Sequence, residues 1–164
     1  MVFFDIDEIK KSGFTGFKKM SELFVDDSSI PEAKGIYMIL NFDGSPSYLT
    51  AGTGGHFKEK NPNVAISELK SNWVENTIVL YIGKAGKNGS NATLRSRLKQ
   101  YFRFGQGGKV GHWGGRLIWQ LKNSRNLVVC CKPLFNEDPR AAEAKLLQEF
   151  VSKFSQRPFA NLAD

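Results

Sequence analysis

The segment 79–104 constrains the fold most, because it predicts a strand, a loop and a helix in immediate succession. An apolar, β-branched run ends in Tyr81-Ile82-Gly83, which is typical of a buried strand. A loop rich in glycine, asparagine and serine follows it. A helix is then predicted from about Ala92 to Arg103, with Ser90 or Asn91 as its N-cap. We therefore expect the rest of the chain to be arranged around this strand–loop–helix unit.

The predicted helix carries two different faces. At about 100° per residue, an apolar stripe and a basic stripe lie roughly 100° apart: Leu94, Leu98 and Phe102, and Arg95, Lys99 and Arg103. Arg97 belongs to neither stripe, because it lies at the border of the apolar face, one turn before Tyr101. An arginine held at the edge of a core beside a tyrosine is well suited to binding an anion.

A second apolar strand is predicted upstream, at 34–40, with a tyrosine near its start. Gly35-Ile36-Tyr37, Tyr81-Ile82-Gly83-Lys84-Ala85 and Leu94-x-x-Arg97-Leu98 with Tyr101 resemble the motifs of the GIY-YIG endonuclease family, which has excinuclease C-type and restriction-type members. A later helix with a glutamate and the terminal Pro158-Phe159-Ala160-Asn161 extend the resemblance to roughly two thirds of the chain. It implies an α+β fold, with a small central sheet flanked by helices, and metal-dependent hydrolysis of DNA phosphodiesters in repair, recombination or restriction.

The resemblance also implies a role for each matching residue. Tyr37 is the expected general base, Tyr81 positions the attacking water or shares that task, and Arg97 binds the scissile phosphate. A phenol ionises near pH 10, so it needs help from a cation such as the metal or Lys84. The implied catalytic set is Tyr37, Tyr81, Lys84, Arg97, Tyr101, Glu143 and Asn161, with Glu143 as the ligand of Mg²⁺ or Mn²⁺.

Two glutamates of the last predicted helix compete for the metal. That helix begins at Pro139, with Asp138 as N-cap, and ends at about Phe154. Glu143 falls in the middle of its apolar face, where a carboxylate is costly unless a metal or a cation pairs with it. Glu149 falls on the opposite, solvated face, although its distance from Asn161 in sequence is one that some family members use. Glu143 is therefore the expected ligand and Glu149 the alternative.

Positive charge is concentrated in one part of the chain. The net charge is +7, yet eleven Lys and Arg residues and no Asp or Glu lie between Asn76 and Asn136. A segment of this length without a carboxylate favours a polyanion partner, and double-stranded DNA is the expected one, with RNA left open. The expected contacts are Arg95, Lys99, Arg103, Lys109, His112 and Arg116. A non-catalytic nucleic-acid-binding module with the same fold remains the alternative, because it would carry the same charge pattern.

The other segments complete the expectation of a single domain, 1–164. Residues 1–33 predict one amphipathic helix, from the helical spacing of Phe14, Phe17, Met20, Leu23 and Phe24. Residues 41–76 form an insertion between the tyrosine strands, with a short helix within 64–75. Two further strands are predicted, at 117–121 and 127–131, with Cys130 buried and Cys131 facing outward.

The cellular setting follows from features that the sequence lacks. It has no signal-peptide pattern and no apolar run of about 18–20 residues, so we expect a cytoplasmic protein without a membrane partner. Adjacent cysteines do not suggest a disulfide framework. No small-molecule cofactor is expected. A single active site cuts one strand, so cutting both strands calls for a homodimer or sequential action.

Overall fold

The computed structural model describes Phe3 and residues 5–162, and within them the fold is α+β. Four strands form one antiparallel sheet: β1 (Thr15–Lys19), β2 (Gly35–Leu40), β3 (Val79–Ala85) and β4 (Val128–Pro133). The α-helices are α1 (Ile6–Lys11), α2 (Met20–Val25), α3 (Ile66–Asn72), α4 (Leu94–Gly105) and α5 (Pro139–Phe154). None of these helices is long and apolar enough to cross a bilayer.

The sheet is covered on both faces, with β2 near its centre. The strand order is β1-β4-β2-β3, and all six residues of β2 are buried. Because side chains alternate along a strand, Tyr37 and Ile39 pack in the cluster that includes the apolar stripe of α4. Ile36, Met38 and Leu40 pack in the cluster that includes Ala142, Leu146 and Phe150 of α5. The sheet therefore separates α4 from α5.

Several predicted elements are confirmed. The strands at 34–40 and 79–83 are β2 and β3, the run 127–131 falls largely in β4, and α3 lies inside 64–75. Helix α5 begins at Pro139, and the Asp138 side chain accepts from the Ala141 N–H as its N-cap. Helix α4 begins later than predicted, because Thr93 and not Ser90 or Asn91 accepts from the Ser96 N–H.

The single N-terminal helix predicted within 1–33 is wrong. Thr15–Lys19 is strand β1, paired with β4, and only Met20–Val25 continues as helix. Gly13 and Gly16 adopt positive φ values of 101° and 92°, a backbone that interrupts a helix. The apolar spacing is real, since Phe14, Met20 and Leu23 are buried, but the residues reach two different clusters.

The strand predicted at 117–121 is also wrong. Residues Arg116–Gln120 form a 3₁₀ helix, and Leu117, Ile118, Trp119 and Gln120 in it are all buried. A short apolar run does not reveal its period when every side is covered. The prediction that Cys131 faces outward is wrong as well, because both cysteines are buried. Both are free thiols.

The insertion 41–76 is fixed to the segment that follows α4. The buried Gln120 amide donates to the carbonyls of Leu49 and Val64, at 3.1 and 3.0 Å, and accepts from the Val64 N–H at 2.9 Å. The Gly55 N–H donates to the Phe104 carbonyl at 2.8 Å. The insertion thus braces residues 104–121, which include the glycine-rich loop 105–116.

Candidate active site

A cavity of about 310 Å³ lies beside the C-terminal end of β3. Among the residues that line it are five of the seven predicted catalytic ones: Tyr37, Tyr81, Lys84, Arg97 and Glu143. They come from β2, β3, α4 and α5. Tyr81 and Arg97 belong to the α4 side of the sheet, whereas Lys84 alternates with Tyr81 and Gly83 and points toward α5. The end of β3 therefore brings together groups from both layers.

Glycines allow the two tyrosine strands to meet at this point. Tyr37 lies opposite Gly83 in the sheet. A Cβ atom built on Gly83 would overlap the Tyr37 ring, with Oη at 2.5 Å and Cε1 at 2.7 Å. Gly35 is equally restricted, because a Cβ there would lie 2.9 Å from Leu94 Cδ1 and overlap the Lys132 carbonyl. The glycines of both triplets thus have a packing reason to be glycine.

The two tyrosine hydroxyls are buried and remain protonated. Their ring centroids lie 5.9 Å apart, and the pKa of each hydroxyl is above that of an ordinary phenol. Burial is the largest cause in both cases: it raises the pKa of Tyr81 to about 12 and that of Tyr37 well above its usual value. Arg97 acts in the opposite direction on both pKa values. Either phenol can therefore donate a hydrogen bond at neutral pH, but acting as a base requires nearby positive charge that stabilises the phenolate.

The predicted glutamate faces a cation. Lys84 Nζ lies 3.0 Å from Glu143 Oε1, and the two side chains are 31% and 17% exposed. Glu143 lines the cavity, while Glu149 lies six residues further along α5, about 9 Å along the helix axis. The geometry thus favours Glu143 over Glu149 as the carboxylate of this cavity.

Arg97 lines the cavity, whereas Tyr101 does not. Arg97 Nη1 donates to Gln100 Oε1 at 3.0 Å, so its partner is a neutral side chain on the same helix. Tyr101 is completely buried, and its hydroxyl donates to the Gly115 carbonyl at 2.7 Å. Tyr101 therefore holds the glycine-rich loop against α4, and the structure gives it no access to the cavity.

Asn161 acts on the site through the backbone of β3. Its Oδ1 accepts from the Ile82 N–H at 2.9 Å, and its Nδ2 donates to the Ile82 carbonyl at 2.8 Å. The Ala160 N–H donates to the Leu80 carbonyl at 2.9 Å. Since β3 is an edge strand, these bonds pair its outer side and fix the strand between Tyr81 and Gly83. Asn161 is thus a positioning residue.

The six residues predicted to contact nucleic acid divide into two groups. Arg103 and Lys109 are exposed. The others have partners within the fold: Arg95 bonds to Glu32 and the Ser28 and Ile30 carbonyls, Lys99 lies 3.8 Å from Asp27, Arg116 lies over the Trp113 ring, and His112 is buried. Arg95 and His112 therefore have structural roles here, whereas Lys99 and Arg103 of the basic stripe are exposed.

The buried His112 ring of the glycine-rich loop packs against Tyr101 of α4. Its centroid lies 4.4 Å from that of Tyr101, and Nδ1 lies 3.0 Å from the Gly114 carbonyl. A carbonyl only accepts, so Nδ1 carries the proton and Nε2 has the lone pair. Nε2 is buried without a hydrogen-bond partner among the described residues. Burial, followed by the nearby charge of Arg97, lowers the pKa of His112 to about 3.

The donor set around the cavity is compatible with a hard divalent cation, although it is sparse. Among the described residues, no group of three or more His, Cys, Asp and Glu side chains could hold a metal. Mg²⁺ does not require one, because it keeps several waters and takes oxygen ligands from one or two carboxylates and from substrate phosphate. Glu143 is paired with the Lys84 ammonium, so a cation bound at this carboxylate would share or replace that partner.

The sequence did not indicate the residues of the 86–92 loop that complete the cavity. Lys87 and Ser90 line it together with the predicted residues. The only sequence feature that could have indicated them is their position between the YIG strand and α4. In the structure, Gly86 of this loop has a φ of +83° and packs against Lys34 and Ala92. Gln100, the partner of Arg97, gave no signal beyond its position one turn later.

Comparisons with known proteins give no match for this chain: no family model, no curated protein and no solved structure is significantly similar to it. Membership of the GIY-YIG family therefore stays a prediction from the sequence motifs.

Proposed function

We propose that this chain is a metal-dependent endonuclease of the GIY-YIG type that hydrolyses phosphodiester bonds in DNA. The observation that carries the proposal is the cavity in which Tyr37, Tyr81, Lys84, Arg97 and Glu143 converge. Hydrolysis of a phosphodiester needs an activated water, neutralisation of the phosphate charge and help for the leaving oxygen. The side chains around this cavity offer groups for each task.

Arg97 binds the phosphate in this proposal. Its guanidinium presents a planar fork of donors that matches phosphate oxygens. The bond to Gln100 is one that a phosphate can replace, because the amide oxygen is neutral, whereas phosphate oxygens are charged and can accept two parallel bonds from the guanidinium. Lys84 adds a second positive charge on the opposite side of the sheet edge.

The tyrosine pair handles the proton of the attacking water. Both tyrosines line the cavity, and in this proposal the Tyr81 hydroxyl orients a water or a substrate oxygen. Since burial keeps both phenols protonated, a base role for either one depends on positive charge that arrives with the bound substrate and cation.

Glu143 would hold Mg²⁺ or Mn²⁺, with phosphate and water oxygens as the remaining ligands. Such an ion, when bound, supplies charge that stabilises the phosphate and lowers the pKa of adjacent water. Lys84 is then the residue that must share Glu143 with the ion or turn toward the phosphate.

The test is plasmid cutting with a matched pair of variants. Wild type, Glu143→Gln and Glu149→Gln are incubated with supercoiled plasmid in Mg²⁺, in Mn²⁺ or in EDTA. We expect nicked or linear product from wild type and Glu149→Gln in the presence of metal, and none from Glu143→Gln. Cutting by all three proteins, or cutting in EDTA, would contradict the proposal. Gel retardation without any cutting, repeated with RNA and branched DNA, would favour a binding module.

A further inference from the structure

The glycine-rich loop 105–116 presents an exposed tryptophan. Trp113 is 37% exposed, whereas Trp119, a few residues later, is 1% exposed. Tryptophan is usually highly buried, and nothing in the proposed reaction uses Trp113.

This tryptophan lies next to the candidate active site. A Cβ atom on the following residue, Gly114, would lie 3.3 Å from Tyr81 Oη, and one on Gly115 would lie 3.0 Å from Tyr81 Cζ. Consecutive Cα atoms are about 3.8 Å apart. The Trp113 Cα atom is therefore about that far from the Cα atom of Gly114, the residue that packs near Tyr81. The loop that carries this indole therefore packs beside Tyr81 of the candidate active site, while Trp113 itself lies outside the cavity lining.

The chain segment that carries the indole is positively charged. The Arg116 guanidinium lies 4.5 Å from the ring centroid, a cation–π arrangement that fixes the ring. Arg116 Nε is buried without a hydrogen-bond partner among the described residues. Arg103 and Lys109 are exposed in the same segment, which has no carboxylate between Asn76 and Asn136. An aromatic surface within a positively charged segment favours a nucleotide as ligand.

Contacts with α4 and with the insertion 41–76 hold the loop in place. His112 and Tyr101 pack with ring centroids 4.4 Å apart, and the Tyr101 hydroxyl donates to Gly115. A Cβ atom on Gly111 would lie 3.2 Å from Phe57 of the insertion. The platform is therefore preorganised, and little ordering cost is added when a ligand binds.

We propose that Trp113 is a stacking platform for an unpaired nucleobase next to the scissile phosphate. The inference rests on the proposed nuclease function and names its substrate class: DNA with an unstacked base, as in a bulge, a flap or a single strand. Bases inside an intact duplex are covered on both faces by their neighbours, so an indole can stack only on a base that has left the helix or ends it. Arg103 and Lys109 then contact the flanking backbone without reading its sequence.

The test measures binding in EDTA, where metal-dependent cutting is absent. Fluorescence anisotropy is recorded with a labelled duplex of about 20 base pairs, either fully paired or carrying a central bulge of unpaired thymines. Base stacking of this kind corresponds to roughly 5- to 150-fold in affinity. We expect wild type to prefer the bulged duplex, Trp113→Ala to lose that preference, and Trp113→Phe to keep most of it. Binding to the paired duplex should change less than about twofold.

Phe42→Ala is the matched control, because Phe42 is 49% exposed and lies in the insertion, away from the residues that line the active-site cavity. It should bind both duplexes as wild type does, and circular dichroism of each variant checks the fold. Equal binding of the two duplexes by wild type, equal losses on both in Trp113→Ala, or no binding at all would overturn the inference. A Trp113-dependent bulge preference without plasmid cutting would instead refute the nuclease proposal alone.

Discussion

Burial of His112 should make the fold sensitive to acid. The side chain is 1% exposed, and burial together with the charge of Arg97 lowers its pKa to about 3, from 6.5 for an ordinary histidine. Below pH 6.5, His112 therefore binds a proton in the unfolded chain but stays neutral in the folded chain. Stability contributed by neutral His112 is complete above pH 6.5 and is lost as the pH falls toward 3.

The size of this effect follows from the linkage of proton binding to folding. Each pH unit between the two pKa values changes the free energy of unfolding by about 1.36 kcal/mol. Between pH 7 and pH 5 the loss is about 2 kcal/mol, a large share of the roughly 5–15 kcal/mol that stabilises a typical domain. Since His112 is almost fully buried, solvent screening does not reduce this figure appreciably.

The assay compares wild type with His112→Gln in urea unfolding at pH 7 and pH 5, followed by tryptophan fluorescence. Wild type should lose about 2 kcal/mol more than the variant between the two pH values. His56→Gln, which changes an exposed histidine of the insertion, should behave as wild type. If wild type and His112→Gln lost the same stability on acidification, the burial argument would be refuted.

Two further predictions concern the backbone around the cavity. Gly83→Ala places a Cβ against the Tyr37 ring, so we expect a loss of about 1–3 kcal/mol in urea unfolding and slower plasmid cutting; unchanged stability would contradict the packing account. Asn161→Ala removes both bonds to Ile82, so we expect faster hydrogen exchange at the Ile82 amide and roughly 2 kcal/mol lower stability. An Ile82 amide that stays protected would show that Asn161 does not hold the edge of β3.

The central part of the fold could be predicted from local patterns in the sequence. Strand β2 is apolar throughout, β3 is apolar up to Lys84, and α4 and α5 have apolar stripes at helical spacing. The long α5 also has a cap signal in Asp138 and Pro139. These four elements carry the cavity, which is why five of the seven predicted catalytic residues come together.

The parts that could not be predicted depend on contacts between distant residues. Strand β1 exists because Thr15–Lys19 pairs with β4, more than a hundred residues later, and its own apolar spacing favours a helix. Arg95 has the same sequence signal as an exposed arginine, yet Glu32 and the Ser28 carbonyl bind it. Tyr101 matches the motif, but its hydroxyl is bound to a loop carbonyl that no local pattern reveals.

The central claim is that phosphodiester hydrolysis occurs in the cavity beneath the tyrosine pair. It is tested most directly by the single-turnover rate of plasmid nicking in Mg²⁺ for Tyr37→Phe and Tyr81→Phe, each of which removes one hydroxyl oxygen. Tyr48→Phe is the control, because Tyr48 packs against Trp73 and Phe159, away from the residues that line the cavity. We predict losses of roughly 10²- to 10⁴-fold for the first two variants and none for Tyr48→Phe. Nicking at the wild-type rate by folded Tyr37→Phe and Tyr81→Phe would contradict the assignment of this cavity as the active site.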